Sequence, residues 1–452
     1  MNLPNFFFAD LPPEATLSPT MIAAACDTLK RNRIKYLLPR STDAIVKILC
    51  EVAAEWRQPE NQFRKLALEF GPAEMGFSKP TLEKGLDGFL SQFTPEKFQA
   101  LLEQELGHAQ RLDQFVADDE RKANRTVMVH GPEFLVHIAA GNLPNPALMS
   151  LTLGLLTRSA QFMKCASGAA LLPRLFAHSL YQIDPKLAAC LEIAEWRGGN
   201  HELENELFAH ADCLTATGSD ETLATIRARL PAKVRFVGHG QRVSFSFVTR
   251  EVLREETVAE IVSRAADDVV AWDQNGCLSP HCVYVEERGA VESDKFAELL
   301  AVELAKREPT EPRGKISVEE AAAIASRRAI YEAIAAHRAD AKIWSSQNST
   351  AWTVVFEHEP RFRFSPLNRF IFVKPVPEVA AALAGLDEVQ GKVSTVGIAA
   401  PSEKLQELAQ RFARWGATRI CPLGQMQNPP LTWRHDGRPV LGDLVTWTDW
   451  EQ

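Results

Sequence analysis

Cys277 lies in Trp272-Asp273-Gln274-Asn275-Gly276-Cys277-Leu278-Ser279-Pro280, a polar, turn-rich stretch between two regular elements. A thiol at such a junction is accessible to substrate, which makes acyl chemistry on a cysteine nucleophile the first expectation. An unperturbed thiol is only about 3% ionised at neutral pH, so its loop or a neighbouring base must activate it. Asn142, in Gly141-Asn142-Leu143-Pro144, follows a strand and precedes an apolar helix. Its amide could donate to an oxyanion; the alternative is an Asx-type helix cap. Thr217-Gly218-Ser219-Asp220 falls between a strand and a helix, where free N–H groups can bind phosphate. His239, in Gly238-His239-Gly240, is either a proton donor and acceptor or a turn residue. His281-Cys282 hints at a metal or a Cys–His pair, but the two should point to opposite sides of an extended segment. No other ligands have metal-site spacing, so no metal is expected. The other seven cysteines read as small buried hydrophobes.

The elements around these residues follow from periodicity. Val258, Ile261, Val262, Ala265, Val269 and Trp272 recur at helical spacing before the thiol, and Cys282 to Glu286 reads as a buried strand after it. Residues 15 to 115 read mainly as helices. One carries the stripe Ile45, Ile48, Leu49, Val52 and Trp56 behind Ser41, and another is opened by Thr94-Pro95-Glu96. Thr126–Val129 and Phe134–Ile138 are strand-like, with Gly131-Pro132 as a turn. Strands at 161–164, 212–217 and 234–237 then alternate with helices near 171–182 and 221–229. This alternation predicts parallel βαβ units in a doubly wound sheet. A second α/β block spans about 250–420, with a helix over 318–337 behind the capping box Ser317-Val318-Glu319-Glu320. Its clearest strands are 370–373 and 393–396, and the tail after Cys421 has little helical character.

Composition excludes several classes of partner. A chain of 452 residues needs more than one domain, and 46% hydrophobic with 24% charged residues is ordinary for a globular enzyme. A net charge of −8 argues against nucleic acid or an anionic membrane surface. No apolar run approaches a membrane span. Eight scattered cysteines without a C-x-x-C pair, and no signal-peptide pattern at the start, lead to the expectation of reduced thiols in the cytoplasm. No G-x-G-x-x-G or P-loop occurs.

Together these stretches resemble the aldehyde dehydrogenase superfamily, and within it the LuxC-type long-chain acyl-CoA reductases that supply fatty aldehyde in bacterial luminescence. The similarity runs from about Thr126 to Val373, with weaker echoes in the helical N-terminal part and in Arg434-His435-Asp436-Gly437-Arg438. Its most specific stretches are His137-Ile138-Ala139-Ala140-Gly141-Asn142-Leu143-Pro144 and Asp273 to Pro280. The resemblance implies an aldehyde-dehydrogenase-like α/β fold: a helical region with a Rossmann-like cofactor domain (1–122 and 138–248), a catalytic thiol domain (249–420) and an oligomerisation arm with the tail (123–137 and 421–452). It implies that Cys277 accepts the acyl group, with Asn142 and the Cys277 N–H as oxyanion donors; a base such as His239, read from its own turn, would assist the thiol. Lys164 and Ser167 would then meet the adenosine ribose, and Gly218 and Ser219 the pyrophosphate. NAD-preferring members often carry a Glu where this chain has Ser167, so NADPH is the expected cofactor. Two departures stand out. The water-activating Glu of oxidising members is missing from Arg235-Phe236-Val237-Gly238-His239-Gly240, and Arg361 to Pro366 lacks the acid of Glu-x-Phe-Gly-Pro. The expected reaction is NADPH-dependent reduction of a long-chain acyl thioester, acyl-CoA or one delivered by an acyl-transferring partner protein, in a homodimer or homotetramer. The rivals are an oxidative or CoA-acylating aldehyde dehydrogenase and a non-catalytic acyl-binding scaffold.

Overall fold

The computed structural model describes residues 3–12, 14–117 and 124–451. The chain divides into two compact units: Met1–Met75, Leu86–Gly240 and Pro430–Gln452 form the first, Gly76–Gly85 and Gln241–Pro429 the second.

The first unit begins with helices whose starts are chemically specified. Ser41 Oγ accepts from Ala44 N at 3.2 Å and opens the helix Thr42–Trp56, which buries Ile45, Leu49, Val52 and Trp56. Thr94 caps Pro95–Leu106 with Pro95 at the first position, and the helix stops at Gly107, whose φ of 75° suits only a residue without Cβ strain. A short strand β1 (Val116–Ala117) and β2 (Arg125–His130) pair antiparallel. The central sheet follows, with β3 (Phe134–Ile138), β4 (Ala160–Cys165), β5 (Leu191–Glu195), β6 (Cys213–Thr217) and β7 (Arg235–His239). All are parallel, in the order β5-β4-β3-β6-β7. The chain builds outward from β3 in one direction and then the other, so a topological switch point lies between β3 and β6, where doubly wound sheets bind ligands.

In the second unit, β8 (Val243–Val248), β9 (Pro280–Glu286), β10 (Ala341–Ser345), β11 (Thr353–Glu357), β12 (Phe370–Val376), β13 (Val393–Ala399) and β14 (Arg419–Pro422) form one sheet in the order β10-β11-β12-β9-β8-β13-β14. Only β10 runs antiparallel to its neighbour. Strands β8, β9, β11, β12 and β13 are buried along their length, as a parallel sheet covered on both faces requires. The helix Val318–His337 starts at the expected capping box: Ser317 Oγ accepts from Glu320 N and the Glu320 carboxylate accepts from Ser317 N. The last strand, β15 (Thr446–Glu451), belongs to the first unit and pairs antiparallel with β2.

Some boundaries differ from the sequence reading. Phe134–Ile138 is the central strand β3 of the five-stranded parallel sheet, not part of an arm over 123–137; a separate three-stranded sheet contains β1, β2 and β15, and residue 123 lies outside the described residues. Val243–Val248 pairs with β9 and β13 in the second unit, although the sequence reading grouped it with the cofactor domain. β14 also joins the second sheet, so residues 421 and 422 are not tail. A buried parallel strand carries no mark of the sheet it will join. Among the described residues, no helix is long and apolar enough to cross a membrane.

Candidate active site

Cys277 owes its position to two left-handed turns. The helix Val258–Val270 ends before Trp272, and Trp272, Asp273 and Gln274 take φ values of 51°, 49° and 65°. The apolar stripe therefore does not extend to Trp272. Left-handed backbone costs roughly 1–2 kcal/mol per residue, so each of the three needs a holding contact. The Trp272 ring packs edge-on to Phe77 at 5.2 Å and fills the space where any side chain at Gly85 would stand. Asp273 accepts from Arg369 Nε at 2.9 Å and from Gly314 N at 3.0 Å. The Gln274 amide donates to Pro280 O at 2.7 Å and Phe370 O at 2.9 Å. Arg369, only 1% exposed, ends a second left-handed run, Leu367-Asn368-Arg369, with φ of 61°, 55° and 65°. Asn275 Nδ2 reaches Asn368 Oδ1 at 3.3 Å, so the two runs brace each other.

Beyond this brace the thiol loop is tied to the sheet. Ser244 Oγ on β8 donates to Cys277 O at 2.7 Å and accepts from Thr395 N on β13 at 3.1 Å. Ser279 accepts from Gly276 N at 3.3 Å and from the Gln427 amide. Cys277 itself is half-buried just before β9. Burial pushes the thiols of Cys26, Cys165, Cys190, Cys213, Cys282 and Cys421 up to about 12, and that of Cys50 to about 11. His281 is no partner for a catalytic cysteine. It is buried and held neutral by a pKa near 4, and its Nδ1 accepts from Ser365 N at 3.1 Å.

The remaining predicted residues gather at the carboxyl ends of the first unit's strands. Asn142 lies exposed in the loop after β3. The following helix, Asn145–Leu156, has Pro144 at its N-cap position, so Asn142 is not the cap of that helix. Lys164 is nearly buried near the end of β4. Desolvation lowers its pKa, while Glu204 and Glu195 pull the other way. Ser167 is exposed on the turn after β4, next to Gly168 with φ of 76°; Gly168 N donates to Glu195 Oε1 at 2.8 Å. Gly218 N donates to His239 O at 3.2 Å, and Ser219 Oγ caps the helix Asp220–Arg229 by accepting from Thr222 N at 3.2 Å. Asp220 and Glu221 in its first turn weaken that helix end as an anion site. A small crevice at the switch point is lined by Ile138, Ala139, Leu143, Met163, Thr215 and Thr217. Beneath it the buried His137, its pKa pushed to about 4, bridges Thr215 and Gln161. His239 ends β7 with Nδ1 3.4 Å from Asp436 Oδ2.

The sequence reading missed Glu195, Arg369 and Asp436. Glu195 ends a strand that gave no periodic signal. Arg369 is one of many arginines, and only Asp436-Gly437, a left-handed turn pair, carried a local cue.

Fold and site define a class: the protein has an aldehyde-dehydrogenase-like fold. It matches an NAD-dependent benzaldehyde dehydrogenase from Corynebacterium glutamicum with a TM-score of 0.68 at 15% identity, over 99% of this chain and 94% of that one. Within that class, residues 37–447 match the acyl-CoA reductase (LuxC) family, and the chain belongs to it. It is 22% identical to the long-chain acyl-protein thioester reductase of Photorhabdus laumondii, over 90% of this chain and 82% of that protein. It is 21% identical to the enzyme of the same name from Vibrio harveyi, over 92% and 84%.

Proposed function

We propose that this chain reduces a long-chain acyl thioester to its aldehyde, with NADPH as reductant and Cys277 as the acyl carrier. The observation that carries the reading is the braced Cys277 loop in a LuxC family member: two left-handed turns and a buried Asp273–Arg369 pair spent on fixing one half-buried thiol. Such strain persists where surrounding structure over-determines it, and functional loops are where it collects.

In this mechanism the Cys277 thiol gives up its proton to a base, for which His239 is the proposed candidate, as sulfur attacks the acyl carbonyl. Asn142 and the Cys277 N–H stabilise the oxyanion, and one such donor is typically worth ~3–4 kcal/mol. The carrier thiol departs with a proton, leaving the acyl group on Cys277. The fold and the reductase family imply a nicotinamide cofactor, and the switch point of a parallel sheet is where such folds bind a dinucleotide. When bound, it supplies the hydride that the acyl-cysteine accepts. The adduct then collapses, its C–S bond breaks, and aldehyde leaves. In balance, one thioester, one NADPH and one proton give aldehyde, free thiol and NADP+. The segment Gly238-His239-Gly240 supplies no carboxylate of its own to activate water against the intermediate, and the Asp436 carboxylate beside it faces the imidazole.

Lys164 and the Ser167 hydroxyl favour a 2′-phosphate, while Glu195 beside the same turn opposes it. The acyl donor is CoA or an acylated protein, since the family is described by the first and the two relatives by the second. We place the protein in the cytoplasm as a homo-oligomer joined through β15, whose exposed Trp447 and Trp450 lie on a strand that, among the described residues, pairs on one edge only. Light scattering of a Trp447→Glu, Trp450→Glu variant should then report monomers.

The deciding experiment incubates the chain with tetradecanoyl-CoA and, separately, with a tetradecanoyl-protein thioester. Peptide mass mapping then locates the adduct, and NADPH or NADH is added. An adduct on Cys277 that NADPH discharges as aldehyde is expected. Labelling that persists in Cys277→Ala, or an adduct discharged only by water, would overturn the reading.

A further inference from the structure

His239, His435 and Asp436 offer ligand atoms all within 4.8 Å of one another, which invites a metal site. The ring geometry opposes it. The His239 and His435 rings lie parallel, at an interplanar angle of 6° with centroids 4.2 Å apart. An imidazole binds a metal in its own plane at about 2.0–2.1 Å, and two parallel planes do not meet at a shared ion.

The same geometry serves a proton instead. The Asp436 side chain is 2% exposed, and a carboxylate so far from water requires polar partners. Its Oδ2 lies 3.4 Å from His239 Nδ1, while Oδ1 lies 3.9 Å from His435 Nε2. Asp436 has φ of 55° and precedes Gly437 at 73°, so a left-handed turn in the C-terminal segment presents the carboxylate. Asp is among the few side chains that tolerate that conformation. His435 stacks on His239 and is in turn flanked by Trp433 at 4.7 Å, which fixes the tilt of both rings. Arg438 donates to Gly238 O at 3.4 Å and pairs with Asp443, tying the same segment to the end of β7. Among the described residues, the charged groups around His239 include Asp436 and His435 beside its ring, Arg438 on the preceding carbonyl, and Asp220 beside Gly240.

We propose that Asp436 is a positioning residue that holds His239 as the Nδ1–H tautomer, with His435 as a stacked wall, so that Nε2 keeps its lone pair for proton transfer. The proton transfer itself rests on the reductase reading; the tautomer does not. The Nδ1–H donates toward the carboxylate, Nε2 takes the thiol proton, and the imidazolium formed is stabilised by Asp436 until it returns the proton to the departing thiol. At 3.4 Å the Nδ1–Oδ2 contact falls outside hydrogen-bond geometry, so the proposal requires the pair to close by a few tenths of an ångström, as catalytic hydrogen bonds do when they tighten.

The test is made on the full chain with 15N-labelled histidine, at alkaline pH where imidazoles are neutral. The His239 signals are those lost in His239→Gln. The Nδ1–H tautomer is expected in the wild type, moving toward Nε2–H in Asp436→Asn; an Nε2–H tautomer in the wild type overturns the proposal. In turnover, His239→Gln should lose about 100-fold, as removal of a general base does. Asp436→Asn should lose about 10-fold or more, and the double variant should fall no lower than His239→Gln. Losses that multiply in full, or an Asp436→Asn variant with wild-type rate, refute the coupling. A wild type with the expected tautomer but no acyl adduct and no aldehyde would sink the reductase reading and leave the pair standing.

Discussion

The two units hold their functional residues in different ways. In the first, the predicted residues sit at strand ends or on the turns just beyond them, and those turns are fastened by single bonds from backbone N–H groups: Gly168 N to Glu195, Gly218 N to His239 O, Thr222 N to Ser219. In the second, one loop is fixed by six consecutive or facing left-handed residues, a buried ion pair and side-chain bonds from three strands or their flanks. A dinucleotide is bound by many weak contacts and tolerates small adjustments. A nucleophile tolerates little, since a misplacement of 1 Å can cost about 100-fold in rate.

The largest expected effect breaks the stiffer side. Arg369→Met leaves Asp273 buried without its cation, and losing one partner of a buried pair costs about 3–5 kcal/mol. Urea unfolding of the second unit should show that loss, and acylation of Cys277 should slow with it. A variant as stable and as quickly labelled as wild type would mean that the brace does not matter.

Next comes acid. In each unit burial holds a histidine, His137 or His281, near pKa 4 against 6.5 in the unfolded chain. The unfolded state takes up a proton first, so stability is intact above pH 6.5 and falls as pH drops toward 4. The loss reaches about 3 kcal/mol per histidine at pH 4. Thermal melts across that window should steepen in wild type and flatten in part in His281→Gln, whose amide can still accept from Ser365 N. Identical acid limbs would refute the assignment.

The adaptable side should give smaller changes. Glu195→Gln removes a partly solvated charge beside the Ser167 turn. Relief of about 1 kcal/mol, roughly fivefold, is expected in the NADPH-to-NADH ratio of kcat/KM. An unchanged ratio would place the 2′-phosphate elsewhere. Ser219→Ala removes a helix cap, for about 1 kcal/mol of stability in chemical denaturation. A loss as large as that of Arg369→Met would erase the contrast between the units.

Much of this was legible in the sequence because local chemistry wrote it there. Ser317 and Glu320 announce their helix, Thr94-Pro95 and Ser41 announce theirs, and the strand–helix alternation implies a doubly wound sheet. Cys277 stood out because polar turn residues surround it. What was not legible depends on residues distant in the chain. Trp272 fits the helical period, yet its ring packs against Phe77 and over Gly85, and the left-handed turn it opens is held at the next residue by Arg369. β8 reads like any buried strand, and its sheet is decided by β9 and β13. Asp436 faces His239 across nearly two hundred residues, and no spacing rule reaches that far.

The brace also has a calendar. Asp273 and Arg369 are 96 residues apart, so during synthesis the loop that carries Cys277 emerges long before the arginine that completes it. Until then its three left-handed residues lack their buried cation and the facing turn, and the backbone relaxes to cheaper conformations. The Cys277 loop therefore cannot gain its full brace until residue 369 has been made. A chain interrupted before residue 369 carries the thiol without the setting built for it.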